Sequence, residues 1–154
     1  MDNYLKKNYN KITKYFAVTY FNKTWDILDN EDRSKEDIER MKNLCHASFL
    51  HWSEVEECTE ENLSIGYWQL SRVYAEAEEG ENAIRYANRC IEISEEADLG
   101  PFYIAYAYEA KARALKILGK AEEAEIFVKK ANEFVQKIKD EKSKEYIVQD
   151  LDTI

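Results

Sequence analysis

The chain has 154 residues, 45% of them hydrophobic and 34% charged, ordinary proportions for one globular domain large enough to bury a core. With only 4 glycines and 1 proline, and neither Asn-Gly nor Asp-Gly, it lacks the turn chemistry that closes a sheet, so an all-α protein is expected. A net charge of −9 and a pI near 4.9 argue against a nucleic-acid partner, whose phosphates need clustered Lys and Arg, and against anionic membrane surfaces.

The first helix is predicted from about Tyr4 to Leu28, where Ile12, Tyr15, Phe16, Thr19, Tyr20, Lys23 and Ile27 recur at three-to-four spacing. Asp29-Asn30-Glu31-Asp32-Arg33 breaks it, and Ser34 followed by Asp37 reads as a variant capping box. The second helix, Lys35 to about Glu57, carries two partly apolar stripes. One is Ile38, Met41, Cys45, Ser48, Trp52 and Val55, and the other Leu44, Ala47, His51, Glu54 and Cys58, so contact on two sides is expected. Thr59 caps a third helix to about Glu78, with the stripe Leu63, Tyr67, Leu70, Tyr74 and Ala77. Gly80 punctuates, and a fourth helix runs from Glu81 to about Ala97. Gly100-Pro101 ends that helix and starts a fifth, Phe102 to Leu118. After the turn Gly119-Lys120, the sixth covers Ala121 to about Lys139. Ser143 is expected to cap a short last segment through Leu151 that frays. Connections of two to six residues make successive helices antiparallel neighbours.

Within this series one hairpin is written twice, 41 residues apart: Tyr67 falls on Tyr108, Arg72 on Arg113, Ala83 on Ala124, Tyr86 on Phe127, Cys90 on Ala131 and Glu92 on Glu133. The first copy has Tyr67, Leu70, Ser71 and Tyr74 on one helix and Ala83, Ala87 and Cys90 on the next. The second has Tyr108, Lys111, Ala112 and Leu115, then Ala124, Val128 and Ala131. These residues resemble the large-and-small pattern of the tetratricopeptide repeat (TPR) family, whose small positions let helix backbones approach. Lys111 replaces a leucine, Glu78 stands where a turn glycine is usual, and no proline follows either second helix at the family's usual place. The period of 41 resembles the long-helix TPR variants rather than the standard length of about 34. The resemblance covers residues 66–134 and implies a right-handed stack of three antiparallel hairpins, with six or seven helices. Residues 1–154 are then one domain: a degenerate hairpin over 4–57, repeats over 60–97 and 101–139, and a tail or short helix over 143–154.

The family binds peptides, protein segments or helices in a groove lined by the first helix of each pair, and the resemblance implies that role here. Carried over position by position, the groove residues are Ile65, Trp68, Arg72 and Glu76, then Tyr106, Glu109, Arg113 and Ile117. Tyr103 is a further groove candidate. Arginine forks onto carboxylate or phosphate, and Trp or Tyr offers a flat apolar platform. A structural alternative stands beside this one, because Arg72–Glu76 and Glu109–Arg113 have the i, i+4 spacing of intrahelical ion pairs.

A second candidate site is the run Cys45-His46-Ala47-Ser48-Phe49-Leu50-His51-Trp52, which holds both histidines. His46 and His51 lie roughly 140° apart around a helix, which opposes one shared metal, and no metal ligand set is assigned. A small-molecule or metal pocket around His46, His51 and Trp52 is the alternative function. The cysteines at 45, 58 and 90 have no zinc-type spacing, and their odd number suits a reducing, cytoplasmic compartment. The polar N-terminus, Met1 to Lys7, leads into no apolar segment. No catalytic or cofactor motif is present. The expectation is a non-enzymatic, cofactor-free module that binds protein or peptide, with self-association as a further role.

Overall fold

Seven helices make up the computed structural model, which describes residues 3–154: α1 (Asn3–Leu28), α2 (Lys35–Glu54), α3 (Glu60–Glu76), α4 (Gly80–Glu96), α5 (Pro101–Ile117), α6 (Ala121–Val135) and α7 (Glu141–Leu151). Met1 and Asp2 of the polar N-terminus lie outside the described residues. Among the described residues there is no strand, and no helix is long and apolar enough to cross a membrane.

Local chemistry sets the helix ends. The Ser34 hydroxyl accepts from the Asp37 amide at 3.1 Å and the Asp37 carboxylate accepts from the Ser34 amide at 3.0 Å. Thr59 and Asn62 repeat this reciprocal box at the start of α3. At their other ends α3, α4 and α5 close alike: Glu79 N–H donates to the Tyr74 carbonyl, Leu99 N–H to Ser94 and Lys120 N–H to Leu115, at 2.9–3.0 Å. This closure needs a left-handed residue just before the donor. Glu78 (φ 59°), Asp98 (φ 48°) and Gly119 (φ 74°) supply it. Glu78 and Gly119 hold the same repeat position, so the first copy fills with glutamate the turn that the second fills with glycine.

Short connections fold the helices into antiparallel pairs, α1–α2, α3–α4 and α5–α6. Tyr9 near the start of α1 donates to Glu54 at the end of α2, and Ser64 at the start of α3 meets Ser94 at the end of α4. First helices also pack across pairs. α3 lies on α5, and Gln69 of α3 donates to the Phe21 carbonyl of α1 at 3.1 Å. The second helices α2, α4 and α6 make no comparable contact with one another. The packing of α3 on α5, with Gln69 and Trp68 of α3 reaching α1, sets α1, α3 and α5 along one side of the stack, its inner side.

Small side chains make the seams. Ser71, Ala83, Ala87, Cys90, Ala112, Ala124 and Ala131 are all buried, and the Ser71 hydroxyl bonds the Ala83 carbonyl at 2.9 Å. A Cβ on Gly66 would stand 2.6 Å from a Phe49 ring carbon, so α2 and α3 approach there only because position 66 has none.

Five expectations need correction. The buried stripe of α1 is Thr13, Ala17 and Thr24, while Ile12 and Tyr15 are exposed. Close approach of α2 selects small residues: the Ser48 hydroxyl donates to the Ala17 carbonyl at 2.8 Å, which a bulky neighbour would obstruct. Helix α2 ends at Glu54 because Val55 turns extended, and α6 ends at Val135 rather than Lys139. The N-cap of α7 is Asp140, whose carboxylate accepts from the Ser143 amide at 2.8 Å. Finally, α7 does not fray as a tail. Ile147 and Leu151 are buried against Ala105, Ala131, Val135 and Ile138 of the α5–α6 hairpin region.

Candidate functional site

On the inner side, α3, α5 and α7 meet around one carboxylate. Glu109 is fully buried; its Oε2 accepts from the Trp68 indole at 2.9 Å, and its Oε1 accepts from Arg113 Nε at 2.8 Å and Arg72 Nη1 at 3.3 Å. Arg72 also pairs with Glu76 at 3.2 Å on its own helix and with Asp150 of α7 at 3.3 Å. Arg113 donates to the Asp150 carbonyl at 2.8 Å and the Thr153 hydroxyl at 2.7 Å. Arg33 completes the set by bonding Glu76 at 2.8 Å, the Leu28 carbonyl at the end of α1 and the Asn30 carbonyl just after it. Three guanidiniums thus face three carboxylates, and the buried charge at Glu109 is stable only because donors surround it. Tyr106 donates to Asp150 Oδ2 at 3.1 Å; burial first, then Asp150, raises its pKa and keeps it a neutral donor.

Trp68, Arg72, Glu76, Tyr106, Glu109 and Arg113 are therefore brought together, in one self-satisfied cluster. The two arginines meet the glutamates of their own helices and then the C-terminal helix. With 14% and 11% of their side chains exposed, all three nitrogens of Arg72 engaged and Nε and Nη2 of Arg113 engaged, they are positioned to hold α7 rather than to receive a partner's carboxylate. Ile65 faces the inner side, and Ile117 is exposed.

Beside the cluster lies a cavity of about 500 Å³, walled by α1 (Trp25, Asp29), α3 (Ser64, Ile65, Trp68), α5 (Phe102, Tyr103, Tyr106) and α7 (Tyr146, Gln149, Asp150). Its aromatic rings form a connected frame. Trp25 stacks on Trp68 at 5.4 Å, Trp68 meets Tyr106 at 5.1 Å and 72°, Tyr106 meets Phe102 at 5.0 Å and 72°, and Phe102 meets Tyr103 at 5.5 Å and 90°. Near-perpendicular contacts satisfy the ring quadrupoles and make corners, so the frame encloses space instead of filling it. The size and apolar lining suit a ligand group held by a few polar anchors.

The histidine region is not a site of this kind. His46 shares a hydrogen bond of 2.9 Å with the Tyr74 hydroxyl and sits edge-on to Tyr74 and Tyr86, toward α3 and α4; burial, then Arg85, lowers its pKa. His51 stacks on Phe16 and lies tilted against Tyr20, both of α1. Trp52 lines a separate cavity of about 180 Å³ with Val18, Phe21, Asn62, Ile65 and Gly66. The rotation between positions 46 and 51 sends the two rings to different neighbours, so the expected pocket of His46, His51 and Trp52 is not formed. Among the described residues no three His, Cys, Asp or Glu side chains converge in a metal-holding group. The three cysteines are free, and burial pushes the Cys45 and Cys90 thiols up to about 12, which keeps them protonated and inert.

Sequence reasoning named Ile65, Trp68, Tyr103 and Tyr106 of this cavity and missed Trp25, Asp29, Ser64, Phe102, Tyr146, Gln149 and Asp150. The available signal was Ile147 and Leu151, spaced four apart in a segment opened by Asp140 and Ser143, which marks a docking helix with its own inner face.

A family model described as Domain of Unknown Function (DUF3856) matches residues 29–147. No curated protein and no solved structure matches the chain.

Proposed function

We propose that this chain, which belongs to the family described as Domain of Unknown Function (DUF3856), is a TPR-like module that binds a peptide segment without acting on it chemically. One observation carries the reading: the aromatic cavity of about 500 Å³ opens on the inner side of α1, α3 and α5, where a repeat stack of this kind takes its ligands. The cavity offers apolar walls and few polar groups, a composition for recognition, and the buried thiols nearby are not nucleophiles. The acidic surface favours a partner other than nucleic acid, and the free cysteines fit the cytoplasm.

In this reading the cavity rings, rather than Arg72 and Arg113, carry the contact. The test is selection from a random peptide library, followed by fluorescence titration of the enriched peptides. Tyr103→Ala and Tyr146→Ala, at half-buried and exposed positions, should each weaken binding roughly tenfold while helical circular dichroism stays unchanged. Enriched peptides that bind both variants as tightly as the parent would place the site elsewhere.

A further inference from the structure

The lining of the inner cavity is one-sided in charge. Of its eleven residues none is Lys, Arg or His, two are aspartates, and six are Trp, Tyr or Phe. Aromatic faces carry negative potential, strongest for Trp, and Trp25 and Trp68 stand together on one wall. The nearest basic groups are already committed. Arg72 and Arg113 are spent on Glu109, Asp150 and Glu76, and Arg33 on Glu76 and the end of α1. Asp150 is thereby balanced, its two oxygens held by Arg72 and Tyr106. Asp29 is not balanced: it is exposed at the mouth beside Trp25 and makes no ion pair among the described residues. Glu61 adds a further carboxylate near the Tyr103 hydroxyl, whose pKa burial first and then Glu61 raise.

Building on the peptide-binding reading, we infer that the group entering this cavity is the basic side chain of an arginine or lysine on the bound segment, its alkyl stem against the rings and its charge held by the ring faces and Asp29. An acidic side chain would meet Asp29, Glu61 and negative ring faces, with no cation free to receive it. A neutral side chain would fill the walls and leave Asp29 unanswered. Lysine and arginine match both parts, since their stems bury while their heads stay near water. The charge of −9 favours the same sign of partner at longer range.

The experiment uses the three tryptophans as reporters, because Trp25 and Trp68 line the cavity and Trp52 does not. Indole resonances of the full chain are followed by NMR during titration with N-acetylated Ala-X-Ala amides, where X is arginine, lysine, norleucine or glutamate. The arginine and lysine peptides should shift Trp25 and Trp68 but not Trp52, binding roughly three- to tenfold more tightly than norleucine. Added salt should weaken them and leave norleucine unchanged. Asp29→Asn should narrow the gap between arginine and norleucine without moving the free-state indole spectrum. Norleucine or glutamate binding as tightly as arginine would overturn the charge selectivity and leave the peptide-binding reading standing. If no peptide shifts Trp25 and Trp68, or if Trp52 moves equally, both readings fall.

Discussion

Glu109 shows what a single residue does in this molecule. Its carboxylate has no exposure, and four bonds from Trp68, Arg72 and Arg113 converge on it. Such a group is costly to bury alone, and breaking the set leaves arginines without their counter-charge. Glu109→Gln should lower unfolding free energy by about 3 kcal/mol in urea titration. Removing the exposed Lys129–Glu125 pair by Lys129→Ala should change it by less than about 0.5 kcal/mol. Backbone strain at Glu78 gives a second residue-scale prediction. A glutamate at φ 59° holds a turn that glycine makes without penalty, so Glu78→Gly should stabilise by about 1 kcal/mol, seen as a higher Tm. Gly119→Ala, at the equivalent turn, should have the opposite sign. Part of this scale was legible, since Arg72–Glu76 and Glu109–Arg113 follow from spacing alone. Asp150 was not, because it lies 78 positions from Arg72, and no local rule joins residues that only the tertiary fold brings together.

At the scale of the element, α7 is the surprise and α1 the correction. The α7 start depends on Asp140, whose carboxylate accepts from Ser143, and that hydrogen bonding holds its pKa below the ordinary aspartate value. Asp37 at the start of α2 is lowered in the same way by Ser34. A depressed folded-state pKa means the stabilisation is present above the unfolded value and lost as pH falls through the folded one. Melting temperature should therefore drop between about pH 5 and 3, and Asp140→Asn, which keeps the cap without a titrating group, should flatten part of that drop. Asp140→Ala should speed amide hydrogen exchange through α7 and leave α3 and α4 unchanged. Periodicity found the helices readily because each has an apolar stripe. It misjudged the inner stripe of α1, where Thr13, Ala17 and Thr24 are buried in preference to Ile12 and Tyr15. Close packing there rewards short side chains, and a pattern of large apolar residues cannot register that.

Across the whole molecule, three hairpins supply an inner side and a seventh helix covers part of it. The repeat offset of 41 residues accounts for why Trp68 and Glu109, equivalent positions in successive copies, end up hydrogen bonded. It does not account for the cavity, which needs Trp25 from the hairpin outside the repeat and Tyr146 from beyond it. Scaffold and cavity are thus encoded differently: the first in recurring small residues, the second partly in residues outside the repeats, Trp25, Asp29, Tyr146, Gln149 and Asp150. The measurement that tests this most directly is hydrogen exchange on the chain with and without a selected peptide. Binding at the inner cavity predicts slowed exchange in segments 64–68, 102–106 and 146–150, with α2 and α6 unchanged. Protection confined to α2 around His46 and His51, or to α6, would contradict it.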